Sequence, residues 1–219
     1  MLPPLTDFVA LLGISLVLCA GVVHLLAPGM PRRWPGQRNW ARWIAVIGLV
    51  LLWCPIGPLR LPVVAYVRGI SSDLSITLVL LACVGLGQRL FDWPAIVKNE
   101  RLALSGVVVA AAVFLYPMAL GLGDWDSYRL GWGEPAMLAA LGVVSFWFLR
   151  RGWLVLPAAV ALALLAWVAG VFESTNLWDY LLDPWLSVAA IFQCGVAAWQ
   201  KLALRLKRPA PEPGRPVQG

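Results

Sequence analysis

The sequence predicts an all-α fold: a polytopic transmembrane bundle of about seven helices, with its amino terminus outside and its carboxyl terminus in the cytoplasm. Three observations predict it. Hydrophobic residues make up 61% of the chain and charged residues only 13%, whereas roughly a quarter of a soluble domain is charged. The apolar residues gather into separate runs that approach the ~20 needed to cross a hydrocarbon core about 30 Å thick. In that medium each backbone polar group must bond within its own helix, and the absence of period-two alternation excludes the other solution, a β-barrel. Finally, most basic residues fall in alternate loops, as the positive-inside rule requires. The formal charge of +6 is therefore a topology signal and does not point to nucleic acid.

Taken in order, the first helix is expected over residues 8–27, from Phe8 to Ala27. It has no basic n-region and no small-residue cleavage site, so it reads as a retained span rather than a signal peptide. Arg32, Arg33, Arg38 and Arg42, set among Pro and Gly, mark a cytoplasmic loop from Pro28 to Arg42 and so put the amino terminus outside. The second helix is expected over 43–57 and is interrupted by Pro55, Pro58 and Pro62. The stretch on to Ile70 is apolar yet carries Arg60 and Arg68, and reads as an interfacial or re-entrant segment on the outer side. Ser71, Ser72 and Asp73 offer an N-cap cluster for a third helix over 72–90.

Arg89, Lys98 and Arg101 bracket a second cytoplasmic loop, and a fourth helix is expected over 102–122 with a kink at Pro117. The fifth, 135–149, opens on Pro135 and closes in a tight hairpin at Arg150, Arg151 and Gly152. The sixth covers 153–172, and the seventh runs from Pro184 to Gln200. Residues 1–200 thus form one membrane domain, and 201–219 a basic, Pro-rich cytoplasmic tail that is expected to be disordered. Under this topology Asp7, Asp73, Asp124, Asp126, Glu134, Glu173, Asp179 and Asp183 all land outside. Acids contribute little to setting topology, so their segregation supports it independently.

Two outer loops echo one another. Trp125, Asp126 and Tyr128 precede Glu134-Pro135; Trp178, Asp179 and Tyr180 precede Asp183-Pro184. Each shows Trp-Asp, then Tyr, then an acid before the proline that opens an apolar run, a weak parallel repeat of a helix pair. If the loops meet, Trp125, Asp126, Tyr128, Arg129, Trp178, Asp179 and Tyr180, with Glu173 at the preceding helix end, form the candidate ligand-binding rim. Carboxylates there suit a cation or a hydroxyl-rich headgroup, and the aromatic rings suit sugar-like faces. The plain structural reading stands beside this one: Glu134 and Asp183 look like helix starts, with an acid at the positive end of the dipole and Pro in the first turn. Asp126 and Asp179 are equally explained by pairing with Arg129, Arg60 or Arg68.

Elsewhere the chemistry is sparse. Cys19, Cys54, Cys83 and Cys194 lie in or beside apolar runs without a paired spacing, and His24 is alone, so no metal and no cofactor is expected. Ser15, Thr77, Gln88, Ser105, Ser145 and Gln193 are the main polar residues at membrane depth, where they commonly bridge helices. Gly85 with Gly87, and Gly121 with Gly123, read as close-packing positions. No phosphate-binding loop, zinc motif or nucleophile elbow is present.

Three functions are open. The first is a non-enzymatic, multi-pass inner-membrane protein of the bacterial envelope that contacts membrane lipids and binds a lipid or glycan headgroup, or a membrane or periplasmic protein partner, through its acidic and aromatic outer loops. The second is a small transporter or channel with a proline-broken helix path. The third is a membrane-embedded enzyme using Asp126 with Asp179 or Glu173 as an acid/base pair.

Overall fold

The computed structural model describes residues 5–26 and 37–206. Its helices are α1 (Leu5–Leu26), α2 (Gln37–Leu52), α3 (Val63–Ser71), α4 (Ile76–Leu90), α5 (Lys98–Ala119), α6 (Pro135–Leu149), α7 (Val155–Val168), α8 (Leu177–Leu181) and α9 (Pro184–Leu206). A 3-10 helix occupies Ser127–Trp132, and a two-stranded antiparallel hairpin pairs β1 (Pro55–Ile56) with β2 (Leu61–Pro62). Among the described residues the fold is all-α apart from that hairpin. Three helices, α1, α5 and α9, are long and apolar enough to cross a membrane, and α4, α6, α7 and Asn39–Leu52 are shorter apolar helices.

Burial follows the composition. α1 packs on α2 and α4, α5 on α9, α4 on α7, and α6 on α7. The largest core gathers α5, α6, α7, α8 and α9 around Val108, Phe148, Ala163, Leu177 and Tyr180; smaller ones join α1 to α2 and α4, and α1 to α3. Val50, Val113, Phe146, Leu165 and Phe192 nevertheless stay exposed, as expected of helices that are apolar all round. Polar residues in the apolar runs bridge helices: Trp53 Nε1 donates to Ser15 Oγ at 3.0 Å, and the Ser105 hydroxyl lies 3.1 Å from Gln193 Oε1.

Several boundaries differ from expectation, each for a reason that lies across the fold. α2 begins at Gln37, before the expected 43, and takes in Arg42, whose guanidinium donates to the Leu90 carbonyl at 3.0 and 3.3 Å and so caps the end of α4. The interruption at 55–62 is a hairpin rather than a broken helix: Pro55 faces Pro62, Gly57 takes φ +69°, and Tyr66 OH donates to the Ile56 carbonyl at 3.2 Å. α3, nine residues long, spans only about 13 Å.

Ser75, not the Ser71-Ser72-Asp73 cluster, caps α4 by accepting from Leu78 N; Asp73 instead bonds Arg68, which also bonds Asp7. α5 starts at Lys98, with Glu100 in its first turn accepting from Val155 N at 2.8 Å, so one acid serves the starts of α5 and α7. Pro117 falls in the last turn of α5, which closes at Gly121 with φ +84°, so the expected kink coincides with the helix end.

The remaining differences are smaller. α7 stops at Val168, short of 172, and α9 continues to Leu206, so the first residues of the expected tail are helical; the rest of that tail, like the first arginines of the loop after α1, lies outside the described residues. Gly87 is a close-packing position, against Trp93, but Gly85 faces open space, and Gly121 and Gly123 are turn residues.

Candidate functional site

Both echoing loops fold around the same local device. Asp126 precedes the 3-10 helix and accepts from Tyr128 N at 2.9 Å; Asn176 precedes α8 and accepts from Trp178 N at 2.9 Å. A short polar side chain that bonds the backbone two residues on is what starts such turns. The structural repeat therefore aligns Asp126 with Asn176, three residues out of register with the Trp-Asp echo visible in the sequence.

The two loops meet. Tyr128 OH donates to Asp179 Oδ2 at 2.8 Å, Asn176 Nδ2 to the Tyr128 carbonyl at 2.9 Å, and Trp178 Nε1 to the Ser127 carbonyl at 3.1 Å. Ser174 Oγ also donates to Asp179 Oδ2, at 2.5 Å, and accepts from Asn176 N. Gly131 is pressed onto Asn176, where even a methyl group has no room. Phe114 of α5 stands beneath the junction, its ring 5.5 Å from Trp125 and 6.3 Å from Trp178.

This contact divides the expected rim residues into two groups. Trp178 and Tyr180 are buried, the latter completely, with its hydroxyl accepting from Phe172 N and donating to the Ser174 carbonyl while its ring stacks on Phe172. Asp179 is half-buried and occupied by two hydroxyls, and Tyr128 is half-buried above it. Trp125, Asp126, Arg129 and Glu173 are exposed. The expected arginine partners for Asp179 are displaced by Tyr128 and Ser174, and Arg68 is engaged by Asp7 and Asp73 instead.

Burial, and then the hydrogen bond to Asp179 with its negative charge, pushes the Tyr128 phenol from 10.0 up to about 12. Burial likewise raises the Tyr180 phenol. Both phenols therefore stay protonated and able to donate at physiological pH.

Asp183 shows the same economy between elements. Its Oδ1 accepts from Leu186 N at 2.8 Å, as expected of a cap for α9. Its Oδ2 accepts from Ser75 N at 3.0 Å and Ser75 Oγ at 2.5 Å, so the same buried carboxylate also anchors the start of α4. Glu134 precedes α6 without a side-chain cap bond.

Beside the junction lies a recess of about 450 Å³ lined by Met118, Ala119, Gly121, Gly123, Asp124, Trp125, Asp126 and Tyr128. Three of the expected residues line it; Asp124 joins them. Among the described residues no three His, Cys, Asp or Glu side chains gather as a metal site. Sequence reading missed Ser127, Gly131, Ser174 and Asn176; of these only Asn176 carried a local signal, a short polar residue just before an apolar turn. No protein-family model, curated protein or solved structure matches the chain.

Proposed function

We propose that the chain is a multi-pass inner-membrane protein of the bacterial envelope that binds a lipid or glycan headgroup at its outer face and catalyses no reaction. Seven apolar helices, three long and four shorter, support a seven-span bundle, and the alternation of basic loops supports an outer amino terminus. The observation that carries the binding reading is the recess at the loop junction. Asp124 and Asp126 supply acceptors, and Trp125 and Tyr128 supply ring faces, around a floor opened by Gly121 and Gly123. A hydroxyl-rich or cationic headgroup matches that combination: carboxylates accept from hydroxyl or ammonium groups, and aromatic faces stack on sugar rings or attract cations.

The second loop serves as a brace in this reading. Asp179, Asn176 and Trp178 hold Ser127 and Tyr128 in place, which keeps the recess formed before any ligand arrives. The test is an Asp124→Asn, Asp126→Asn double variant reconstituted in mixed-lipid nanodiscs, with the retained lipids identified by native mass spectrometry. The Asp126→Asn change keeps a side-chain oxygen to cap the 3-10 helix, so folding should persist while the headgroup preference of the unaltered chain is lost. An unchanged lipid profile would overturn the proposal.

A further inference from the structure

A second cavity, of about 460 Å³, lies among α5, α6 and α7. This volume is within the ~300–1,000 Å³ of ordinary ligand pockets, but the lining is of a different kind. Leu104 and Leu156 line it toward the starts of α5 and α7, Val108 and Ala159 line it one turn further along, and Leu130 with Trp178 line it at the loop junction. Its polar atoms are the Thr77 hydroxyl and the Trp178 indole N–H, and the latter is spent on the Ser127 carbonyl. Water needs two to four polar partners to occupy a cavity, so this one offers water no site.

Exposed lining residues mark an opening at the side of the cavity. α5 packs on α9 and α6 on α7, while the backbones of α5 and α6 stay apart. In the resulting gap Ala110 and Phe114 of α5 face Ala136 and Ala140 of α6, all four exposed and all four lining the cavity. From Leu104 to Phe114 the cavity follows α5 for about 15 Å, half of a hydrocarbon core about 30 Å thick and so the depth of one leaflet.

We infer that this cavity holds one acyl chain of a bilayer phospholipid, admitted laterally between α5 and α6. The inference rests on the reading of these helices as membrane spans. At that depth the surrounding medium is hydrocarbon, and an unfilled apolar space forgoes the dispersion contacts that a chain would restore. Phe114 lines the cavity, and its ring packs against Trp125, which lines the recess, and against Trp178. A phospholipid seated this way carries its headgroup at the level of Asp124 and Asp126.

The experiment reconstitutes the full chain in vesicles of phosphatidylethanolamine and phosphatidylglycerol that carry a trace of phosphatidylcholine bearing a mid-chain diazirine. Irradiation and peptide mapping locate the adducts. Adducts on Val108 and Ala159, inside the cavity, are expected together with adducts on Val143 and Phe146, which are exposed on α6. Ala140→Trp fills the gap and should abolish the interior adducts while leaving those on Val143 and Phe146; Ala111→Phe repeats the test from the opposite wall if the first variant does not insert. Wild-type adducts confined to Val143 and Phe146, or interior adducts that survive both substitutions, would overturn the acyl-chain site and leave the span reading intact. Absence of adducts at all four positions would overturn the span reading as well. The headgroup proposal is tested separately, because the Asp124→Asn, Asp126→Asn variant is expected to keep its interior adducts.

Discussion

Tyr128 and Asp179 were visible as candidates in the sequence because Trp-Asp and Tyr recur in the two loops, and the fold brings them within 2.8 Å of each other. What was not visible is their role. Each satisfies the other, and Ser174 takes a further share of Asp179. A consequence follows for pH. The phenol is raised from 10.0 to about 12 in the folded chain, so the folded state holds a proton that the unfolded chain releases. The stability this supplies is complete below 10 and is lost as pH rises through about 12. Tyr128→Phe should flatten the loss of stability across that window, and the 295 nm phenolate titration of the variant should lose one late-ionising phenol relative to the wild type. Asn176, 1% exposed, has a simpler test. Alanine there leaves the Tyr128 carbonyl and Trp178 N–H without their partner, and two such losses cost roughly 2–3 kcal/mol. Thermal unfolding in detergent should show it; an unchanged Tm would mean that the loops hold together without Asn176.

At the scale of elements, hydropathy placed the long helices well, because run length in an apolar chain is a local property that survives folding. Their ends were placed less well, because caps depend on what else is near. Ser71, Ser72 and Asp73 have the chemistry of an N-cap, yet α4 starts after Ser75, which stands against Asp183. Arg38 and Arg42 read as loop residues, yet α2 contains both, and Arg42 bonds the end of α4. The Asp183 arrangement yields an expected energy pattern. Asp183→Ala should cost about 3 kcal/mol and Ser75→Ala about 1, since hydrogen bonds to a charged acceptor exceed neutral ones. The double variant should be less destabilised than the sum, by about 1 kcal/mol or more. Strict additivity in a double-mutant cycle of chemical unfolding would show that the two helix starts are independent.

For the whole molecule, many apolar side chains on α2, α5, α6 and α9 stay exposed, which fits the proposal that a bilayer rather than water surrounds them. The proposed topology places Asp124 and Arg150 on opposite faces of the membrane. With the four native cysteines replaced by serine or alanine, Asp124→Cys should react with an impermeant maleimide in intact cells, and Arg150→Cys only after the membrane is opened. The reverse pattern would invert the topology; labelling of both in intact cells would break it. By itself the sequence determined that the fold is helical and that apolar runs recur along it, since both depend on properties summed along a continuous stretch; of the seven spans it predicted, three helices among the described residues have the length and apolarity to cross a membrane. Only the tertiary structure decided that the two loops meet, which polar residues lock them, and that a cavity opens between α5 and α6. The physical reason is distance along the chain. Tyr128 and Asp179 are 51 residues apart, and Ser75 and Asp183 are 108 apart; packing brings each pair together, and no local pattern encodes it.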